Sequence, residues 1–270
     1  MKSNNQFLIR GILFLAGLFV LAGCENNSGL EERTYQLVWQ DEFDADGAPD
    51  ESKWAFDLGA GGWGNNELQN YTNDAQNVIV ADGSLKITAI NNGGSFSSAR
   101  IRTQGKFDQA YGRFEARIKL PWGPGIWPAF WMLGADIETN PWPQCGEIDI
   151  MEYRGQQPNV IHGSVHGPGY SGGAAITKSY GYANNRFDID YHLFAVEWGE
   201  DFIHYFVDDE LYQVIEPGDL TGEWVFDHPF FMILNVAVGG DYVGFPTSDT
   251  PFPQTMYVDY VRVYTEVSGK

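Results

Sequence analysis

Gly146-Glu147-Ile148-Asp149-Ile150-Met151-Glu152-Tyr153 is the stretch on which the fold turns. Three acids are interleaved with strand-forming apolar residues, and successive side chains of a strand point to opposite faces. Glu147 and Asp149 therefore share a face. In a regular strand Met151 would join them and Glu152 would point away. A β-bulge at Ile150–Met151 inserts one extra residue and returns Glu152 to the face of the other two acids. Ile148, Ile150 and Met151 imply a strand buried on its back, and acids on the front of such a strand are costly unless they line a wet cleft.

With the bulge, the two glutamates stand roughly 13 Å apart along the backbone. Side chains leaning toward each other close most of that gap. They approach the roughly 5–5.5 Å at which two carboxylates act as nucleophile and acid on a glycosidic bond, with Asp149 between them. A solvated strand face or a metal site has the same spacing, so these residues alone leave the chemistry open.

The rest of the chain frames this strand as part of an all-β protein. No long segment has helical periodicity and no internal repeat is evident. Arg113–Leu120 alternates apolar residues on even numbers with charges on odd ones. Further strands are expected at 36–40, 77–80, 84–90, 99–103, 193–199, 202–207, 211–215, 230–238 and 256–264. Asp208-Asp209-Glu210 and Ala81-Asp82-Gly83 read as hairpin turns. Many short strands with frequent turns predict an antiparallel β-sandwich. Aromatic residues make up 15% of the chain, more than such a core needs, so some of the nine tryptophans are expected to face a ligand. Gly59-Ala60-Gly61-Gly62-Trp63-Gly64 matches a nucleotide-loop pattern, but no helix period follows it, and it reads as a plain loop.

The N-terminus carries a different signal. Lys2 and Arg10 precede an apolar run to Gly23, too short for the roughly 20 residues of a membrane span. The run ends Leu21-Ala22-Gly23-Cys24. This resembles a bacterial lipoprotein signal over 1–23, with Cys24 lipidated, a flexible tether over 24–34 and one domain over 35–266. Formal charge is 16 − 36 = −20. Without the leader, which holds two of the basic residues and no acid, it becomes 14 − 36 = −22. Such a surface repels phosphate backbones and excludes a nucleic-acid partner. Cys145 is the only other cysteine and is expected to be a packed thiol.

Motifs in order along the chain add a family resemblance. Trp39-Gln40-Asp41-Glu42-Phe43, Gly64-Asn65-Asn66-Glu67-Leu68-Gln69, Gly112–Arg117 and Gly125-Ile126-Trp127-Pro128-Ala129-Phe130-Trp131 lead up to the acidic strand. Ile161-His162-Gly163-Ser164-Val165-His166-Gly167 and Tyr257–Tyr264 follow it. Together they resemble glycoside hydrolase family 16, in its bacterial laminarinase (endo-β-1,3-glucanase) branch, over nearly all of 36–265. The resemblance implies a β-jelly-roll sandwich of two antiparallel sheets with a substrate cleft across the concave one. It implies a retaining mechanism, with Glu147 as nucleophile, Glu152 as acid/base and Asp149 as a hydrogen-bonding helper.

The six-residue acidic signature with its inserted Met is the bulged version, which argues against lichenase and xyloglucan-active members. By the same resemblance Asn66, Arg100, Trp127, Trp131 and His166 bind substrate, and Trp63 and Trp142 rim the cleft. His162 reads as a structural histidine. Many bacterial relatives hold a structural calcium on the convex face, and Glu42, the backbone of Gly83 and Asp259 match that site. Catalysis needs no cofactor.

One departure is Gly239-Gly240-Asp241-Tyr242-Val243-Gly244, where relatives often read Gly-Gly-Asn-Trp-Pro-Gly. It leaves the subsite preference open. The expected partner is a β-1,3-glucan, with mixed β-1,3/1,4-glucan also in range, and the expected state is a monomer anchored in the bacterial cell envelope. An agar- or porphyran-type galactan hydrolase and a non-catalytic sugar-binding sandwich are the alternatives.

Overall fold

The computed structural model describes residues 33–267. The leader, Cys24 and most of the expected tether lie outside the described residues. The strands run in order β1 (Tyr35–Asp41), β2 (Ala55–Asp57), β3 (Gln69–Tyr71), β4 (Val78–Ala81), β5 (Ser84–Asn91) and β6 (Phe96–Ser98). Then come β7 (Arg100–Arg102), β8 (Gly112–Lys119), β9 (Ile126–Gly134), β10 (Glu147–Tyr153), β11 (Val160–His166) and β12 (Ile176–Gly181). The last are β13 (His192–Gly199), β14 (Phe202–Val207), β15 (Glu210–Ile215), β16 (Phe230–Val238) and β17 (Gln254–Glu266). The all-β class and the two-sheet sandwich are as expected.

One sheet has the order β15-β14-β13-β8-β17-β5-β6-β3, with β1 also on β17 and β4 also on β5. The other runs β12-β11-β10-β9-β16-β7-β2. Pairing is antiparallel except between β3 and β6. The inward faces of both sheets form one core. Phe114, Ala116 and Ile118 of β8, Phe130 and Met132 of β9, and Ile148, Ile150 and Met151 of β10 all join it. This is the period-two pattern of the sequence turned into packing. A small second cluster of Leu133, Cys145, Phe231 and Ile233 lies apart from it, with Trp131 packed against it. Cys145 is buried and free, and burial pushes its thiol up to about 11.

Both expected hairpins form. Asp208 and Asp209 have φ of 49° and 64°, and Asp82 and Gly83 have φ of 55° and 71°. Positive φ at both central residues is the two-residue turn whose twist suits antiparallel strands. Gly163 in β11 is required by packing: a Cβ there would fall 2.3 Å from the Tyr212 hydroxyl oxygen and 2.6 Å from the Tyr205 ring.

Candidate active site

The site is built on the outer face of the seven-stranded sheet, where an open cleft of about 930 Å³ is floored by β7, β9, β10, β11 and β16. Pairing registers locate the bulge. Asp149 lies opposite Trp131 of β9 and Ser164 of β11, and Glu152 lies opposite Ala129 and His162. Two residues, Ile150 and Met151, fill the interval that Phe130 and Gly163 each span alone, and both turn inward to the core. The three acids consequently reach the cleft together. This is the geometry that strict alternation forbids and one inserted residue permits.

Hydrogen bonds then orient the carboxyls. Trp127 Nε1 donates to Glu152 Oε1 at 3.0 Å. His166 Nε2 lies 3.0 Å from Asp149 Oδ2 and 3.7 Å from Glu147 Oε1. The backbone N–H of Gly172 donates to His166 Nδ1 at 3.0 Å, so the neutral ring carries its proton on Nε2, facing the acids. Burial, and then the charge of Asp149, push Glu147 up to about 8. Burial and the charge of Glu147 push Glu152 up to about 7, against the opposing pull of His166 and of the Trp127 donor. Asp149 is raised well above the usual carboxylate range by burial and by Glu152. The three titrate as a group that keeps a proton near neutral pH. Burial is common to all of them, so hydrogen bonds and substrate decide which carboxyl holds that proton.

Arg100, Trp127, Trp131 and His166 all line the cleft, as do Trp63 and Trp142. Trp131 is fixed by Nε1 donating to Asn235 Oδ1 at 2.7 Å, and the Arg100 guanidinium sits 4.7 Å from its ring centroid and 5.1 Å from that of Trp63. Asp57 holds Arg100 in place, 2.8 Å from Nε. One Trp131 face is thus taken by Arg100, which narrows the stacking role expected for it. Asn66 departs further from expectation. It is exposed, with φ of 58°, and its Nδ2 donates to Asp241 Oδ2 at 2.9 Å, while its neighbours Asn65 and Glu67 line the cleft. A left-handed backbone at Asn66 turns its side chain along the loop.

His162 reaches the cleft rather than serving only as structure. Its Nδ1 pairs with Ser179 Oγ at 2.9 Å, and burial with the nearby Arg154 charge pushes it down to about 4, so the ring is neutral.

Tyr71, Arg154 and Asn235 line the cleft with no local signal in the sequence, and Glu67 lines it from within the Gly64–Gln69 motif without a role read from it. Asn235 donates to the Tyr71 hydroxyl at 3.2 Å, and Glu67 accepts from Gln69 at 2.6 Å. Pairing of β16 with β9 and β7 places Asn235 on the cleft floor, and bonds between Val238 and both Leu68 and Gln69 bring the Glu67 loop beside it.

The predicted metal ligands fit calcium poorly. Both Glu42 oxygens accept from Arg262, at 2.7 and 2.8 Å, and Asp259 accepts from Arg117 at 2.7 Å. Gly83 sits in its hairpin turn beside Asp82. A cation there would have to displace two guanidiniums. Glu147, Asp149 and His166 do bring ligand atoms within 4.8 Å of one another. The Gly172 N–H on Nδ1 opposes that use, since a histidine bound to metal through Nε2 turns an N–H toward its neighbour.

The comparisons agree with this geometry. The sequence pattern of Glycosyl hydrolases family 16 matches residues 65–262. A beta-glucanase of Rhodothermus marinus is 42% identical over 274 residues, covering 95% of this chain and 95% of its own length. The laminarinase catalytic domain of Thermotoga maritima superposes with a TM-score of 0.82 at 48% identity, covering 87% of this chain and 99% of that one. A keratan-sulfate endo-1,4-beta-galactosidase of Sphingobacterium multivorum is 34% identical, over 85% of this chain and 55% of its own. The family pattern, the identities and the shared jelly-roll sandwich converge on one statement: the chain belongs to glycosyl hydrolases family 16.

Proposed function

We propose that this chain is a retaining endo-β-1,3-glucanase acting on laminarin-type chains, with mixed β-1,3/1,4-glucans as further substrates. The observation that carries the reading is the bulge in β10, which turns Glu147, Asp149 and Glu152 together into a tryptophan-lined cleft. Glu147 attacks the anomeric carbon as nucleophile while Glu152 protonates the departing glycosidic oxygen. Glu152 then takes a proton from water as that water displaces Glu147 from the sugar, so the anomeric configuration is retained. Trp127 Nε1 occupies Glu152 Oε1 and leaves Oε2 as the oxygen that carries the proton. Asp149, between them, holds the neighbouring charges in balance, and the His166 Nε2–H faces it. The tryptophans offer flat apolar faces to pyranose C–H groups.

Reducing-sugar release from laminarin, lichenan and agarose, with Glu147→Gln as control, tests this reading. Release from laminarin that vanishes in the variant supports it. Release from agarose alone favours the second reading, a galactan hydrolase, which the likeness to the Sphingobacterium galactosidase keeps in view. Laminarin retention in an affinity gel without any release would point to a sugar-binding sandwich.

The N-terminal pattern, basic residues and then a short apolar run ending in Cys24, supports lipid anchoring in the bacterial cell envelope. Acyl labelling that persists in Cys24→Ser would overturn this. Structural calcium at Glu42, Gly83 and Asp259 forms no part of the proposal, because guanidiniums hold both carboxylates.

A further inference from the structure

Every other arginine among the described residues stands within 4 Å of a carboxylate, from Arg33 on Glu197 to Arg262 on Glu42. Arg154 has no such partner, although the chain carries a net charge of −20. It lies one residue past the end of β10 and two past Glu152, and it lines the cleft. Its guanidinium lies 4.1 Å from the Tyr242 ring centroid, while Trp127 packs beside the same ring at 5.0 Å and His162 meets it edge-on at 6.0 Å. With these neighbours around its ring, Tyr242 offers no free stacking face.

Three polar atoms of this corner are buried without a well-aligned hydrogen-bond partner, Arg154 Nε, Tyr242 Oη and His162 Nε2, with the Arg154 guanidinium standing close to the tyrosine hydroxyl. His162 is only 9% exposed. Buried polar groups in native proteins are nearly always paired, and a cluster of unpaired ones beside a substrate cleft marks a place where a ligand completes the bonding. The mixture of atoms identifies the ligand's chemistry. Arg154 Nε can only donate, whereas the tyrosine hydroxyl and a neutral imidazole nitrogen can each donate or accept. An anion only accepts, and here it would sit beside the three carboxyls of the catalytic strand. Sugar hydroxyls do both at no charge cost.

We propose that Arg154, His162 and Tyr242 form a specificity-determining subsite that hydrogen-bonds the hydroxyl groups of a neutral glycosyl unit next to the scissile bond. The inference rests on the β-1,3-glucanase reading. Arg154 donates to a ring hydroxyl oxygen, Tyr242 and His162 take up its neighbours, and Arg154 keeps Tyr242 in position through its ring.

The test is steady-state kinetics of the full chain on laminarin, with Tyr242→Phe, Arg154→Met and Arg154→Lys beside the wild type, and thermal melting of each. Tyr242→Phe removes one oxygen and preserves the ring, so a folding defect is not at issue. The expected result is a KM raised about tenfold in Arg154→Met, the factor carried by one hydrogen bond from a charged donor. A smaller rise is expected in Tyr242→Phe, with Arg154→Lys between wild type and Arg154→Met, and with kcat nearly constant throughout. Unchanged KM in both Tyr242→Phe and Arg154→Met overturns the subsite. So does a loss confined to melting temperature. A wild type inactive on laminarin is a different failure, that of the glucanase reading itself.

Discussion

The two sheets each bury acids on an outward face, and they treat them in opposite ways. On the ten-stranded sheet Glu115 is 4% exposed and fully partnered: Arg113 Nε donates to it at 2.9 Å and the Tyr264 hydroxyl at 3.0 Å. Arg113 goes on to Glu197 and Asp209, at 3.2 and 2.9 Å. On the seven-stranded sheet Asp149 is 3% exposed, and its Oδ2 has no well-directed donor, only His166 Nε2 nearby. Burial and the charge of Glu152 raise its proton affinity, and only a hydrogen bond from Glu147 works the other way. A buried acid held by a guanidinium serves the architecture. A buried acid left among other acids is held in readiness for a proton transfer, at a cost in stability.

The largest effect that sharpens this contrast is on turnover. Glu147→Gln should lower kcat by about 10⁴-fold or more while glucan binding in an affinity gel stays close to wild type. Substantial residual activity would remove Glu147 from the nucleophile role. Next comes stability on the opposite sheet. Arg113→Met strands Glu115 and should cost about 3–5 kcal/mol by denaturant unfolding, with kcat of the folded fraction unchanged. A loss below about 1 kcal/mol, the value of an exposed pair, would break the comparison.

A third, smaller effect concerns pH. The carboxyl of Glu147 is raised in the folded state from 4.5 to about 8. Its contribution to stability is therefore complete below pH 4.5 and is lost as pH climbs toward 8, where the unfolded chain has already released the proton. Glu147→Gln removes that penalty, so its melting temperature should exceed the wild type's at pH 8, with the margin closing toward pH 4. Equal margins at both pH values would show that the acids are not held against ionisation. The smallest expected effect is that of calcium. With Glu42 and Asp259 bound to Arg262 and Arg117, a chelator should leave the melting temperature where it was. A clear fall would show that a cation displaces those guanidiniums.

Much of this was legible in the sequence where period-two alternation is strong. Strands expected at 202–207 and 230–238 match β14 and β16 at both ends, and the bulge at Ile150–Met151 follows from parity alone. β2, β3 and β6, at three residues each, are too short to show a period, and β12 is mostly exposed, with only Ile176 and Tyr180 packed on the core. Loop residues are harder to read. Asn66 does not itself line the cleft, and its side chain bonds to Asp241, which does. Arg154 and Tyr242 are 88 positions apart and meet only because the loop after β16 folds over the end of β10. No local pattern announces a contact of that kind.

The bulge in β10 also has a consequence for insertions and deletions. Elsewhere in a strand, removing one residue inverts every side chain that follows it, sending core residues to solvent and solvent residues to the core. Between Asp149 and Glu152 the chain already carries a surplus residue, with Ile150 and Met151 both facing inward. Deleting Met151 would restore plain alternation and still leave Glu147, Asp149 and Glu152 on one face with Tyr153 on the other. This strand can therefore change length at its most sensitive point and keep its chemistry facing the same way.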